Sequence, residues 1–295
     1  MTFAHPRRWR ALLGAAALMA VGVTAPATTA YAAPPGEAPH ATGTPLDPSV
    51  SPALAELIRR ADHPMGSQIR AHERAGATPR RDTAAVPGVQ DTVSGIDVSG
   101  WQGNVDWNSQ WGQGKRFAYV KATEGTDYTS PYFAQQYNGS YDVGMIRGAY
   151  HFARPDVSGG AAQADYFVDH GGGWSRDGKT LPGTLDIEWN PNGAACYGYG
   201  QWDMIGWVKD FSDQYHNRTG VWPVIYTATS WWSQCTGDLA GFRTTNPLWV
   251  ARYAGDPGPL PFDWDVWTFW QYSDSPIDQD VFNGAYDRLV ALALG

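Results

Sequence analysis

From Val93 to Ser273, short runs rich in Val, Ile, Tyr, Phe and Trp alternate with stretches of helical spacing, and that alternation restricts the fold more than any other feature. The strand-like runs are VSGIDVSGW (93–101), FAYVKATEG (117–125), MIRGAYHFARP (145–155), TLPGTLDIEW (180–189), VWPVIYTATSWW (221–232), PLWVARYA (247–254) and VWTFWQYS (266–273). Between them lie NVDWNSQWGQG, closed by Gly114, and SPYFAQQYNGSYDVG, which opens on Ser130-Pro131 as N-cap and N1 and stops at Gly144. AAQADYFVDH (161–170) and the long QWDMIGWVKDFSDQYHNRTG (201–220) supply two further helices. Strands alternating with helices imply parallel βαβ units, and seven or eight strands in about 205 residues predict a small α/β barrel whose later helices are reduced or missing. Such barrels carry their chemistry at the C-terminal ends of the strands. The polar residues there are Asp97, Glu124, Tyr150-His151, Asp186-x-Glu188, Tyr226, Arg252-Tyr253 and Gln271-Tyr272.

The first 90 residues are of another character. Arg7, Arg8 and Arg10 precede an apolar run at 11–23 too short to span a bilayer, and Ala30-Tyr31-Ala32 offers a cleavage site. Residues 1–32 therefore read as an export signal, of the ordinary secretory kind ahead of a twin-arginine signal at Arg7-Arg8, and no later stretch is apolar enough to anchor the chain in a membrane. Residues 33–90 contain no Trp, Phe or Cys. Only SPALAELIRR (51–60) has helical spacing, with Leu54, Leu57 and Ile58 on one face. A segment so poor in large apolar groups cannot build a core of its own and is expected to be a propeptide or disordered linker, with Arg80-Arg81 as a processing site.

Residues 91–295 hold 12 Lys and Arg against 23 Asp and Glu. A domain so acidic lacks the basic footprint that neutralises phosphates, which excludes nucleic acid as its partner. Fourteen of the fifteen Trp lie here, a composition that suits carbohydrate because aromatic faces stack on sugar rings, although most of these side chains must fill the core. Cys196 and Cys235 in an exported chain predict one disulfide. Only His151, His170 and His216 fall in the domain and none has ligand spacing, so no metal and no cofactor are expected.

Leu185-Asp186-Ile187-Glu188-Trp189 is the sharpest local feature. On a strand, residues i and i+2 share a face, so Asp186 and Glu188 stand side by side among apolar neighbours that raise at least one carboxyl pKa. A protonated acid beside an ionised partner is what glycosidic cleavage requires. Asp-x-Glu alone is a weak signal; at a strand end in a Trp-rich exported barrel it is a much stronger one.

GIDVSGWQGNVDW (95–107), YVKATEG (119–125), RGAYHFARP (147–155), LDIEW (185–189) and FWQYSD (269–274) follow one another in the order of the motifs of glycoside hydrolase family 25, the Chalaropsis-type lysozymes, which this sequence resembles over nearly all of 93–290. The resemblance implies a (β/α)5β3 barrel that hydrolyses the β-1,4 bond between N-acetylmuramic acid and N-acetylglucosamine in peptidoglycan, acting as a secreted monomer. Some members also accept 6-O-acetylated muramic acid. It further implies Glu188 as the general acid, Asp186 as its partner carboxylate, Asp97 as the first-strand Asp of the site and Asp280 as the late one, with Asp278 as the alternative. Tyr150, Trp189, Tyr226, Arg252, Trp270 and Gln271 are the expected cleft residues, Arg252 for a muramic or peptide carboxylate and Trp270-Gln271-Tyr272 as the cleft floor. Glu124 is expected to pair with Lys121 or an Arg, and His151 to be a core histidine. Two alternatives remain. A chitinase-like glycosidase would need carboxylates where Leu181 and Thr184 stand, and a non-catalytic wall-binding module would need Asp186 or Glu188 replaced.

Overall fold

A computed structural model describes residues 50–73, 91–239, 241–262 and 264–295. The export signal at 1–32, residues 33–49 and the Arg80-Arg81 site lie outside them. Helices α1 (Pro52–Ala61) and α2 (Ile69–His72) come first, then β1 (Val93–Val98), α3 (Trp107–Gly112), β2 (Phe117–Glu124), β3 (Tyr128–Thr129), α4 (Phe133–Asp142), β4 (Ile146–Phe152) and α5 (Gly160–Phe167). The chain continues through β5 (Thr184–Asp186), α6 (Gln201–Thr219), β6 (Val224–Thr227), α7 (Thr229–Thr236), β7 (Leu248–Ala251), β8 (Phe269–Ser273), β9 (Asp278–Phe282) and α8 (Tyr286–Ala293).

Eight strands close into a barrel in the order β1-β9-β8-β7-β6-β5-β4-β2, with β1 pairing back onto β2; β3 is a short hairpin arm on β2. The first five barrel strands are parallel and each is followed by a helix. No helix follows β7 or β8, β9 runs antiparallel to both β8 and β1, and α8 comes after it. This is the (β/α)5β3 arrangement. The barrel interior is filled rather than open. Phe269 lies within 5.3–5.6 Å, centroid to centroid, of Phe117, Tyr119, Trp249 and Phe282. Gly148 has to be glycine because a Cβ there would overlap the Tyr119 ring, which is fixed by its hydrogen bond to the Pro182 carbonyl at 3.0 Å. On the outer face Ile96, Val98, Ala118 and Val120 pack against Trp107 of α3 and Met145.

Two stretches depart from the sequence reading. The run expected as strand to Trp232 stops at Thr227, and 229–236 is helix. Trp231, Trp232, Cys235 and Thr236 are buried at helical spacing, and Gly237 ends the helix in the left-handed conformation at φ 64°. The strand β9, the last strand on which the resemblance placed Asp280, has no strand-like pattern of its own, since Asp278-Gln279-Asp280 is too polar to read as a buried strand.

Cys196 and Cys235 form the disulfide, with Cα atoms 5.3 Å apart and a sequence separation of 39. Closing a loop of that length stabilises by about 3–4 kcal/mol in the chain-entropy model. Complete reduction is therefore expected to lower the melting temperature by several degrees; an unchanged melting curve would mean that the bridge does not restrain the unfolded chain.

Residues 50–73 differ most from the linker expectation. Ser51 caps α1 by accepting from the Leu54 amide at 3.3 Å, and Ala55 and Ile58 are buried, while Leu57, expected on the same face as Ile58, is exposed. Met65 and Ile69 are buried too. The segment needs no core of its own because it uses that of the barrel.

Candidate active site

The phase of each strand decides which side chains reach the barrel mouth. On β5 and its continuation, Thr184, Asp186 and Glu188 fall on one face, with Leu185 and Ile187 on the other. On β1 the inward residues are Gly95 and Asp97. Both carboxylates of the Asp186–Glu188 pair are buried, as is Asp97. Burial pushes the Glu188 carboxyl up to about 8, against the hydrogen bonds it accepts from the Gln68 and Gly66 amides. Burial and then the Glu188 charge raise Asp186, neither of whose carboxylate oxygens has a protein hydrogen-bond donor. The pair thus holds a proton at neutral pH. Asp97 accepts from Gln271 Nε2 at 2.8 Å, and burial pushes its carboxyl up to about 7.

Both late aspartates enter the barrel. Because β9 is antiparallel to β1, its first residue, Asp278, stands at the C-terminal end of β1 opposite Asp97. Asp280 is one layer deeper, opposite Gly95 and Gln271. Burial raises both carboxyls, as does the Asp97 charge, and Asp278 also feels Glu188. Asp278 thus stands in register with Asp97, and Asp280, beneath it, shares a side-chain hydrogen bond with Asp97.

Tyr150, Tyr226 and Gln271 line the mouth, Tyr226 donating to Gln271 Oε1 at 2.6 Å. Trp189 is held by its Nε1 bond to Gln234 at 3.1 Å. Tyr253, in phase with Trp249 and Ala251 on β7, joins them and was missing from the expected cleft residues, although that alternation makes it readable. Two expectations are corrected. Trp270 and Tyr272 point away from the interior that Phe269 and Gln271 face: they pack on each other and Trp270 on Trp267, while Trp270 Nε1 donates to the Arg252 carbonyl at 2.8 Å. Of the predicted floor, Gln271 alone faces inward. Arg252, out of phase with Tyr253, pairs with Asp256 at 2.8 Å on an exposed loop. His151 is a core residue, bonded to Thr123 Oγ1 at 2.8 Å and Gln163 at 2.9 Å.

Glu124 forms a separate buried ion cluster beside the mouth. A register shift between Lys121 and Thr123 puts an extra residue into β2, so that Lys121 and Glu124, three apart, both face inward. Lys121 Nζ lies 2.7 Å from Glu124 and 2.9 Å from Asp62, and His63 Nδ1 is 2.6 Å from Glu124. Although burial opposes it, the Lys121 charge and then His63 hold the Glu124 carboxyl well below its usual range.

Residues 96–281 match the family model Glycosyl hydrolases family 25. Lysozyme M1 of Streptomyces globisporus is 45% identical over 264 residues, 87% of this chain and 88% of that protein. An N,O-diacetylmuramidase of a Chalaropsis species is 49% identical over 211 residues, 69% of this chain and 100% of that protein. The solved muramidase from Acremonium alcalophilum superposes with a TM-score of 0.68 at 55% identity, covering 69% of this chain and 99% of its own. Among the described residues no helix is long and apolar enough to cross a membrane.

Proposed function

As the chain belongs to glycosyl hydrolase family 25, we propose that it is a secreted lysozyme that hydrolyses the β-1,4 bond between N-acetylmuramic acid and N-acetylglucosamine in peptidoglycan. The observation that carries this reading is the buried Asp186–Glu188 pair at the end of β5, ringed by Asp97, Asp278, Asp280 and the hydroxyls of Tyr150, Tyr226 and Tyr253. Secretion rests on the sequence of residues 1–32. Acceptance of 6-O-acetylated muramic acid is suggested by the name of the Chalaropsis relative.

Glu188, protonated, donates its proton to the glycosidic oxygen as the C1–O bond breaks. Both oxygens of Asp186 lack a protein donor and lie on the same strand face as Glu188, so an enzymic nucleophile on the opposite side of the sugar is not evident. The 2-acetamido carbonyl oxygen of the muramic acid takes that role and bonds to C1, giving an oxazolinium ion, while Asp186 accepts a hydrogen bond from the acetamido N–H. Glu188, now ionised, removes a proton from water as the water oxygen bonds to C1 and the ring C1–O bond opens. The anomeric configuration is retained. This substrate-assisted route departs from the usual two-carboxylate scheme. Asp97 and Asp280, which share a hydrogen bond, supply field and hold the cleft polar groups in place, with Asp278 beside them at the mouth.

Proton NMR of the first-formed product tests the mechanism. A β anomer is expected; an initial α anomer would mean inversion by an activated water, and a sugar trapped covalently on a carboxylate would exclude acetamido attack.

A further inference from the structure

The segment from Asp62 to Glu73 lies across the mouth of the barrel and occupies the groups that the proposed function assigns to glycan. Gly66 sits at φ 77°, a left-handed turn that aims the amides of Gly66, Ser67 and Gln68 at Glu188. The Gly66 amide donates to Glu188 Oε1 at 2.8 Å and the Gln68 amide to Oε2 at 3.1 Å, so both oxygens of the acid are engaged. The Met65 amide donates to the Tyr150 hydroxyl at 3.3 Å, and the Tyr253 hydroxyl donates to the Gly66 carbonyl at 3.2 Å. The His72 ring stacks on Trp189 at 4.6 Å with an interplanar angle of 3°, covering the flat apolar face on which a pyranose would lie.

The segment is fastened at both ends. Asp62 accepts from the Gly100 amide at 2.7 Å and the Tyr128 hydroxyl at 2.9 Å, and it pairs with buried Lys121; its carbonyl accepts from Trp101 Nε1 at 2.7 Å. Across the mouth, Arg70 forms a two-pronged pair with Asp274, and Glu73 accepts from the Ser230 hydroxyl at 2.5 Å. With this cover in place Glu188 has no solvent exposure and Asp186 has 1%. A polymer cannot reach carboxyls so enclosed.

We infer that residues Asp62–Glu73 are a built-in inhibitor that holds the chain inactive by filling its glycan cleft, and that the segment must leave before a wall polymer can bind. The inference rests on the lysozyme reading. As part of the same chain, the segment competes at an effective concentration on the order of millimolar. Hydrolysis of one peptide bond by an endopeptidase, on the C-terminal side of Glu73 and before the barrel, removes that advantage and lets it diffuse away. About two thirds of this chain, a share as large as the barrel from Asp91 onward, matches nearly the whole length of the Acremonium and Chalaropsis relatives.

Gly66 provides the test. A Cβ there would overlap the Tyr253 hydroxyl and lie 2.8 Å from that of Tyr226, besides straining the positive φ. In the uncut chain, with its mass verified as intact, Gly66→Leu is expected to raise clearing of a cell-wall suspension at least about 100-fold, towards the level of proteolytically cut wild type. Arg70→Ala with Glu73→Ala, which alters only the outer fastening, should act in the same direction and guards against a Gly66 variant that misfolds. Wall pelleting gives a readout independent of catalysis: uncut wild type stays in the supernatant, and both variants sediment with the walls. If uncut wild type clears and pellets like the cut enzyme, the inhibitor does not exist. If the variants gain wall binding but no form clears walls, the segment blocks the cleft as inferred and the lysozyme reading is what fails.

Discussion

Glu188→Gln abolishes wall lysis, lowering kcat by about 10²–10⁴-fold while the melting temperature and wall binding of the cut enzyme stay close to wild type. The change is nearly isosteric, and the amide accepts and donates within the same cavity, but it has no proton to give to a glycosidic oxygen. The same assignment fixes the pH profile. Glu188 works protonated, and burial has raised its pKa, so kcat/KM falls as pH rises through that value. In the covered chain the carboxyl is pushed up to about 8. Removing the cover readmits water, weakens the desolvation and moves the alkaline limb of the cut enzyme below that figure. Wild-type turnover in the glutamine variant, or a profile without an alkaline limb, would remove Glu188 from the role of acid.

Phe269→Ala destabilises the fold by about 3–5 kcal/mol, the cost of deleting a fully buried aromatic side chain whose surroundings cannot collapse. The ring meets four others inside a closed barrel, and these are held by three other strands, β2, β7 and β9. The cavity therefore persists. Phe262→Ala, at a side chain 72% exposed, should stay within about 0.5 kcal/mol of wild type and serves as the control. Urea denaturation of both variants measures the difference; a loss below about 1 kcal/mol for Phe269→Ala would mean that the interior is loosely filled.

The barrel was legible because each parallel strand sits between two layers and carries a run of β-branched and aromatic residues, while Gly114, Gly144 and Gly220 end the helices between them. The paired carboxylates were legible because i and i+2 share a face whatever the tertiary context. Phase was harder to read where both faces are aromatic. In Phe269-Trp270-Gln271-Tyr272 the ring of Phe269 enters the barrel and those of Trp270 and Tyr272 do not, yet all three look alike in sequence. Arg252 was misplaced for the same reason, one residue out of phase with Tyr253. The run at 229–236 was hidden by Thr and Trp, which favour strands, although its buried positions follow a helical spacing. Residues 62–73 were the least visible. Their contacts span 38 to 206 positions along the chain and use backbone amides, carbonyls, one glycine turn and a few polar side chains, none of which leaves a hydrophobic pattern.

The most direct measurement of the central claim is mass spectrometry of the soluble fragments that the cut enzyme releases from purified peptidoglycan. The account predicts disaccharide-peptides, and multiples of them, each with N-acetylmuramic acid at the reducing end and no new free amino groups. N-acetylglucosamine at the reducing end would place the cleavage on the other glycosidic bond. Released amino groups with intact glycan strands would contradict glycosidase chemistry at Asp186 and Glu188 altogether.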